Sequence, residues 1–339
     1  MTTTTGWVLT DKRILWTTSG GREWAFMTLP QEILPTMVAN IFFLDVSQGW
    51  IVVMPSPTTS AGQTTIKVLR THDGGKHWLT STVSDKQAEV EAVSGNAFID
   101  FIDLQHGWIM LPSLSSSNFS IGSLFRTEDG GTSWSEVAAP SGDAVRFTSP
   151  SDGWAINRPR QQLYATHDGG QHWQPQVPLT TSGVIGQPTY DLPTFTNTTD
   201  GFLPVTITRQ GQTAVAIYVT HDGGQSWSTA TAITLPVPVE SGVHIPTAVT
   251  DANTWIVAPP DGKIHRTKDA GAHWQEQPTS SPLEGISAFS FATTTEGWAQ
   301  RFNGQCAQAK THCSIETEVL KTSDGGQTWT SALSITTPN

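Results

Sequence analysis

The chain has 339 residues, of which 37% are hydrophobic and only 14% charged, and its formal charge is −11. That balance disfavours the broad electrostatic attraction on which nonspecific binding to nucleic acid or anionic lipid depends, so neither partner is expected. No stretch approaches about 18 consecutive apolar residues, and MTTTTGWVLT has neither a basic start nor an apolar core, so neither a membrane span nor a signal peptide is expected in the chain as given.

Two phrases alternate along the sequence. The first is a Gly-Trp pair or a near variant: Gly6-Trp7, Gly49-Trp50, Gly107-Trp108, Gly153-Trp154, Gly201-Phe202, Thr254-Trp255 and Gly297-Trp298. The second follows it each time, as TTSGGREW (17–24), THDGGKHW (71–78), TEDGGTSW (127–134), THDGGQHW (166–173), THDGGQSW (220–227), TKDAGAHW (267–274) and TSDGGQTW (322–329). The closing tryptophans lie 54, 56, 39, 54, 47 and 55 residues apart. A period of about 50 residues marks a repeat architecture whose units bury their apolar faces against neighbours. The repeats run over about 1–30, 37–84, 94–139, 143–179, 188–235, 244–279 and 285–337, and are read as one domain.

Each repeat supplies four short β-prone runs. In the third, NAFIDFID (96–103) is strand A, GWIMLPS (107–113) strand B, GSLFRTE (122–128) strand C and SWSEVAA (133–139) strand D. Abundant Gly and Pro suit the many turns, and 14 Trp with 13 Phe carry much of the burial. No helical apolar period persists, so helix is expected to be nearly absent. Four antiparallel strands repeated about an axis make a β-propeller blade, and the expected fold is an all-β, seven-bladed β-propeller of four-stranded antiparallel blades. Only five residues precede Gly6, too few for an inner strand, and only ten follow Trp329. The first blade is therefore expected to have three strands, or to be completed by flanking sequence.

The DGG turn explains its own composition. The Asp accepts N–H groups of its turn, the glycines take φ > 0, and the Trp returns to pack on the blade. This matches the pattern Ser/Thr-x-Asp-x-Gly-x-x-Trp, and the chain resembles the Asp-box propeller superfamily, which includes sialidases, xyloglucanases, sortilin-type receptors and photosystem II assembly and stability factors. The layout is most similar to the last group. Asp73, Asp129, Asp168, Asp222, Asp269 and Asp324 carry the resemblance and are read as structural, while Ser19 replaces the Asp in the first copy and implies a weaker turn.

In a propeller the A to B and C to D turns share one face, leaving the B to C and D to A connections on the other. That second face holds the unequal loops 54–64, 80–95, 111–122, 174–189, 228–243 and 301–318, where recognition is expected. Arg158, Arg160, Arg209 and Arg301 fall at or just after the ends of strand B, and Arg146 lies near an inner strand A. Together with Tyr190 these are the candidate ligand-binding residues, because an arginine fork matches a carboxylate's two oxygens. The bland reading pairs the arginines with Asp143, Asp191, Asp261 and Glu316, or leaves them solvated.

Catalytic signals are weak. Sialidases grip a carboxylate with three arginines beside a Tyr/Glu pair, for which Tyr190 with Glu240 or Glu284 is the available set here, but their Arg-Ile-Pro signature is missing. Xyloglucanases resemble pairs of seven-bladed domains and need two carboxylates across a cleft. Histidines at equivalent positions, such as His77, His172 and His273, sit on different blades, so no metal and no cofactor is expected. Cys306 and Cys313 are read as a hairpin disulfide or as two free thiols, and a bridge implies an oxidising, extracytoplasmic compartment. The leading reading is a monomeric, non-catalytic binding or assembly protein whose partner is a protein, peptide or glycan with acidic groups. The alternative is a carbohydrate-active enzyme, a glycoside hydrolase of sialidase or xyloglucanase type.

Overall fold

The computed structural model describes residues 2–10, 13–54, 66–83, 97–113, 120–176, 186–229, 232–236, 238–240, 242–277, 283–306 and 313–338. Among them the only helical turn is the short 3-10 segment Pro35–Met37. Seven sheets follow one another along the chain as the blades of a seven-bladed β-propeller. The first has three strands, β1 (Gly6–Thr10), β2 (Arg13–Thr17) and β3 (Ala25–Phe26), so the first blade lacks an inner strand among the described residues. The second comprises β4 (Val38–Phe43), β5 (Gly49–Val53), β6 (Lys67–Thr71) and β7 (Leu79–Thr82). The third comprises β8 (Phe98–Phe101), β9 (Gly107–Ser113), β10 (Ile121–Thr127) and β11 (Ser135–Val137), and the fourth β12 (Val145–Phe147), β13 (Gly153–Asn157), β14 (Gln162–Thr166) and β15 (Gln174–Pro175).

In the fifth sheet both edges are broken. The inner pieces β16 (Gln187–Tyr190) and β17 (Thr194–Phe195) pair with β18 (Gly201–Arg209), and the outer pieces β20 (Ser228–Thr229) and β21 (Ile233–Leu235) pair with β19 (Gln212–Thr220). The sixth is β22 (Thr247–Val249), β23 (Trp255–Val257), β24 (Ile264–Thr267) and β25 (Gln275–Gln277). The seventh is β26 (Ile286–Phe291), β27 (Gly297–Cys306), β28 (Cys313–Thr322) and β29 (Thr330–Pro338). The chain falls into two compact units, residues 1–7, 16–25 and 179–339 in one, and 8–15 and 26–178 in the other.

Two expectations about loops are corrected. The segment 301–318 is largely the paired strands β27 and β28, whose register runs to Cys306 opposite Cys313, and Arg301 is consequently mid-strand rather than at a strand end. The segment 228–243 likewise contains β20 and β21. Strands outlast the turn signals here because backbone pairing continues wherever the partner strand does. Most of 54–64, 80–95, 111–122 and 174–189 lies outside the described residues.

The core is built from an aromatic period that the Gly-Trp landmark only hints at. A Phe six residues before each glycine covers it, at Phe43/Gly49, Phe101/Gly107, Phe147/Gly153, Phe195/Gly201 and Phe291/Gly297, and a Cβ on these glycines would lie 2.4–2.6 Å from the ring. No larger residue fits there. In the unit containing blades two to four, the Trp of one blade stacks on the Phe of the next, Trp50 on Phe101 at 3.7 Å and Trp108 on Phe147 at 3.8 Å between ring centroids. These indoles are buried, and removing about 200 Å² of aromatic surface from water contributes on the order of 5 kcal/mol per Trp, an upper bound. In the other unit the last blade meets the start of the chain: Trp298 Nε1 donates to Thr2 O at 3.1 Å, Trp24 Nε1 to Ala332 O at 2.9 Å, and Lys321 Nζ to Thr3 O and Gly20 O, both at 3.2 Å.

Candidate functional site

The Asp-box turns are closed on themselves. In each repeat a backbone N–H of the C to D turn donates to a carbonyl of the A to B turn, from Gly20 to Thr4, Gly74 to Ser47, Gly130 to Gln105, Gly169 to Ser151, Gly223 to Thr199, Ala270 to Asn253 and Gly325 to Thr295, which sets both turns at one end of the blade. The Asp then fastens its own turn. Asp129 Oδ1 accepts the N–H groups of Thr132 and Ser133, each at 2.9 Å, while Oδ2 takes the Ser133 hydroxyl at 2.6 Å. Where the fourth residue on is histidine, its Nδ1 takes that place, as in His172 to Asp168 and His273 to Asp269 at 2.7 Å. Asp168 and Asp269 are held at about 2, chiefly by the backbone N–H of that residue and then by its imidazole, and Asp222 is held at about 2 chiefly by the Ser226 hydroxyl. In the first copy Ser19 Oγ accepts the Glu23 N–H at 2.9 Å, and its other contacts, to Glu23 O and Thr17 Oγ1, are long at 3.4 Å. These carboxylates are occupied by the fold.

The arginines on the sequence-selected face have different fates, and each unit is taken by itself. In the unit with blades two to four, Arg158 and Arg160 lie in the turn between β13 and β14 with exposed side chains. That turn is pinned through its backbone: Asp143 accepts the Arg158 N–H at 2.9 Å, Asn157 Oδ1 accepts the Arg160 N–H at 3.1 Å, and the Gln161 N–H returns to Arg158 O at 3.0 Å. Pro159 between the two arginines fixes another torsion. Asp143, which the sequence offered as a charge partner, thus serves the backbone.

Arg146 is on β12 and lies beside Asp100 on β8. Burial pushes the Asp100 carboxyl above the usual carboxylate range, against the opposing influence of Arg146 and of backbone N–H bonds from Phe147 and Phe101. Sequence reasoning missed Asp100. Its signal was available: Asp100 precedes Phe101 as Arg146 precedes Phe147, so opposite charges stand at equivalent positions of successive repeats.

In the other unit, Arg209 ends β18 with an exposed side chain, at a tight turn whose Gln210 and Gly211 have φ of 45° and 80°. Arg301 is instead committed to Glu318, a buried neighbour across the β27 to β28 ladder, through Nε at 3.0 Å and through Nη2. Glu318 was not singled out from sequence, although the long hairpin makes it the direct cross-strand partner. Glu316 accepts the Ser334 hydroxyl, Asp261 the Lys263 N–H, and Asp191 pairs with His244 at 3.0 Å. Tyr190 ends β16 and is buried, whereas Glu240 and Glu284 are exposed. No group of three or more His, Cys, Asp or Glu among the described residues has metal-binding geometry, and no helix there is long and apolar enough to cross a membrane.

Comparison with known proteins follows this layout. A sequence model described as photosynthesis system II assembly factor YCF48 matches residues 81–237, and one described as sortilin, neurotensin receptor 3 matches residues 215–337. The photosystem II stability/assembly factor HCF136 of the Arabidopsis thaliana chloroplast is 30% identical over 191 residues, half of this chain and 44% of that protein. Among solved structures, YCF48 bound to D1 peptide aligns with a TM-score of 0.58 at 18% identity over 88% of this chain and 86% of that one. YCF48 from Cyanidioschyzon merolae gives 0.58 at 17% over 87% and 88%. A xyloglucanase from Xanthomonas campestris gives 0.56 at 12%, over 96% of this chain and 65% of that one. The structural likenesses establish the fold alone. With the seven sheets and six Asp boxes already in place, the chain is an Asp-box propeller that resembles the photosystem II assembly factors.

Proposed function

We propose that this propeller is a non-catalytic binding protein that captures a polypeptide segment bearing acidic groups through the turns opposite its Asp boxes. The observation that carries the reading is the turn between β13 and β14, where Arg158 and Arg160 flank Pro159 on a backbone tied down by Asp143 and Asn157. Two exposed guanidiniums held on a fixed turn, in a chain whose formal charge is −11, form a local cationic fork without general attraction for polyanions. Pre-organisation lowers the entropy cost of meeting a carboxylate. The likeness to assembly factors, one of them solved with a peptide, supports a polypeptide as the occupant in preference to a glycan.

The reading includes an oxidising location, supported by the register that sets Cys306 directly opposite Cys313. Mass analysis before and after reduction checks it. For the binding reading, isothermal titration with a glutamate-rich decapeptide is expected to show salt-sensitive binding. The double variant Arg158→Ala/Arg160→Ala is expected to weaken it by roughly thirtyfold, about 2 kcal/mol, without lowering the melting temperature. Unchanged affinity in that variant sinks the proposal.

A further inference from the structure

The position just before the Asp-box threonine carries a cation in four blades, as Arg70, Arg126, Arg266 and Lys321, and each cation reaches the box of the next blade. Arg70 Nη1 donates to Thr132 Oγ1 at 2.6 Å, Arg266 Nη1 to Gly325 O at 3.0 Å and Lys321 Nζ to Gly20 O at 3.2 Å, while Arg126 Nη1 lies against Gly169. The four differ in how their charge is answered. Arg126 is followed two residues on by Glu128, whose carboxylate meets Arg126 Nη2 at 2.6 Å. Lys321 has Glu296 at 3.8 Å, and Arg70 is followed two residues on by His72, which is engaged by Gln48. After Arg266 that position is Lys268, so the sixth blade sets a second permanent cation where the third sets a carboxylate. Among the described residues neither Arg266 nor Lys268 has a carboxylate partner.

Both line a groove of about 270 Å³ between the sixth and seventh blades. The two carboxylates of that groove are spent. Asp269 accepts the His273 N–H at 2.9 Å, the Thr267 hydroxyl at 2.8 Å and the His273 imidazole at 2.7 Å. Glu276 is paired with Lys263 at 2.9 Å, and it alternates to the other face of β25 from Gln275, the residue opposite Arg266 in register. The groove is therefore left with two unanswered cations, both within reach of solvent. Arg266 Nη2 has no partner and, unlike the buried Nε, keeps accessible surface, while Lys268 is exposed. Two like charges this close repel each other, and an anion lying between them removes that cost.

We propose that this groove binds a small dicarboxylate, of the size of a four-carbon diacid, with one carboxylate on Arg266 and the other on Lys268. The third blade displays the first half of the arrangement with its own side chain: Glu128, exposed and on a short alkyl stem, reaches Nη2 of the equivalent arginine. Where Lys268 replaces it, that carboxylate has to come from a ligand. The guanidinium fixes its carboxylate through directed donors, and the ammonium takes the second as a point charge. The Gln275 carboxamide, across the ladder from Arg266, supplies further N–H donors. The Asp boxes still scaffold this rim, and the ligand occupies the seam between two of them.

The site is independent of the arginine turn, and its test separates the two. The full chain, labelled with nitrogen-15, is titrated by NMR with succinate, with inorganic phosphate and with the neutral diamide succinamide. Succinate is expected to bind with a Kd of the order of millimolar that weakens as salt is raised. Lys268→Glu gives Arg266 the internal partner that Arg126 already has. It is expected to weaken succinate binding at least tenfold without lowering the melting temperature, while decapeptide affinity stays unchanged. Arg158→Ala/Arg160→Ala is expected to leave succinate binding intact. Absence of a saturable shift with succinate, binding undiminished in Lys268→Glu, or succinamide binding as tightly as succinate overturns the proposal. Phosphate binding more tightly than succinate assigns the groove to phosphoryl groups and overturns it equally.

Discussion

At the Asp-box rim the carboxylates are consumed by their own turns, whereas in the Arg158–Arg160 turn the backbone is tied by other side chains and the guanidiniums stay exposed. Both are short turns rich in charge. The difference shows that a charged residue repeated at one register serves the fold, while one that departs from the register, on a turn closed without its side chain, stays exposed to solvent.

The contrast breaks most severely at the core both regions share. Gly107→Ala places a Cβ 2.4 Å from the Phe101 ring, beneath its stack with Trp50, and is expected to cost about 3 kcal/mol in denaturant unfolding. Asp129→Ala removes two backbone N–H bonds and two hydroxyl bonds, from Thr127 and Ser133, from a rim turn, with an expected loss of about 1–2 kcal/mol and no change in decapeptide affinity. Arg158→Ala/Arg160→Ala is its mirror image: affinity falls and stability holds. Should Asp129→Ala abolish binding as well, the division between rim and turn fails.

Acid sharpens the same division. Asp168, Asp222 and Asp269 are depressed to about 2, so the folded state binds fewer protons than the unfolded one just below the ordinary Asp range. Their contribution is fully present above about pH 4 and is lost as pH falls through about 2. Asp100 has the opposite sign: its raised carboxyl pKa makes stability fall as pH rises from the ordinary range through the folded value. Melting temperature followed from pH 6 to pH 2 is expected to fall less steeply in Asp168→Asn than in the parent and more steeply in Asp100→Asn. The smallest effects are gains. Ala270 holds φ of 55° where other copies have glycine, and Ser19 makes one short bond where Asp makes several, so Ala270→Gly and Ser19→Asp are each expected to add about 0.5–1 kcal/mol, read as a higher denaturant midpoint.

Much of the scaffold was legible because its signals are local. The Thr-x-Asp-x-Gly phrase specifies a turn from its own atoms, and the Gly-Trp spacing fixes the strand that precedes it, so blade number and the three-stranded first blade were readable. The arginines were harder. Arg158 and Arg160 lie where strand ends put them, but Arg301 was misplaced because the strands of the last blade extend past their turn signals, which brings Glu318 opposite it. Asp100 escaped notice because its partner Arg146 is in another repeat.

By itself the sequence determined the repeat, the turn chemistry and the aromatic period, since each is encoded within a few residues of the group it holds. Only the tertiary structure decided which charges remain available. The pairing of Arg301 with Glu318, the burial of Asp100 beside Arg146 and the pairing of Glu276 with Lys263 all depend on contacts between strands or blades. Burial and pairing, which set the cost and the usefulness of a polar group, are properties of its neighbours rather than of its place in the chain.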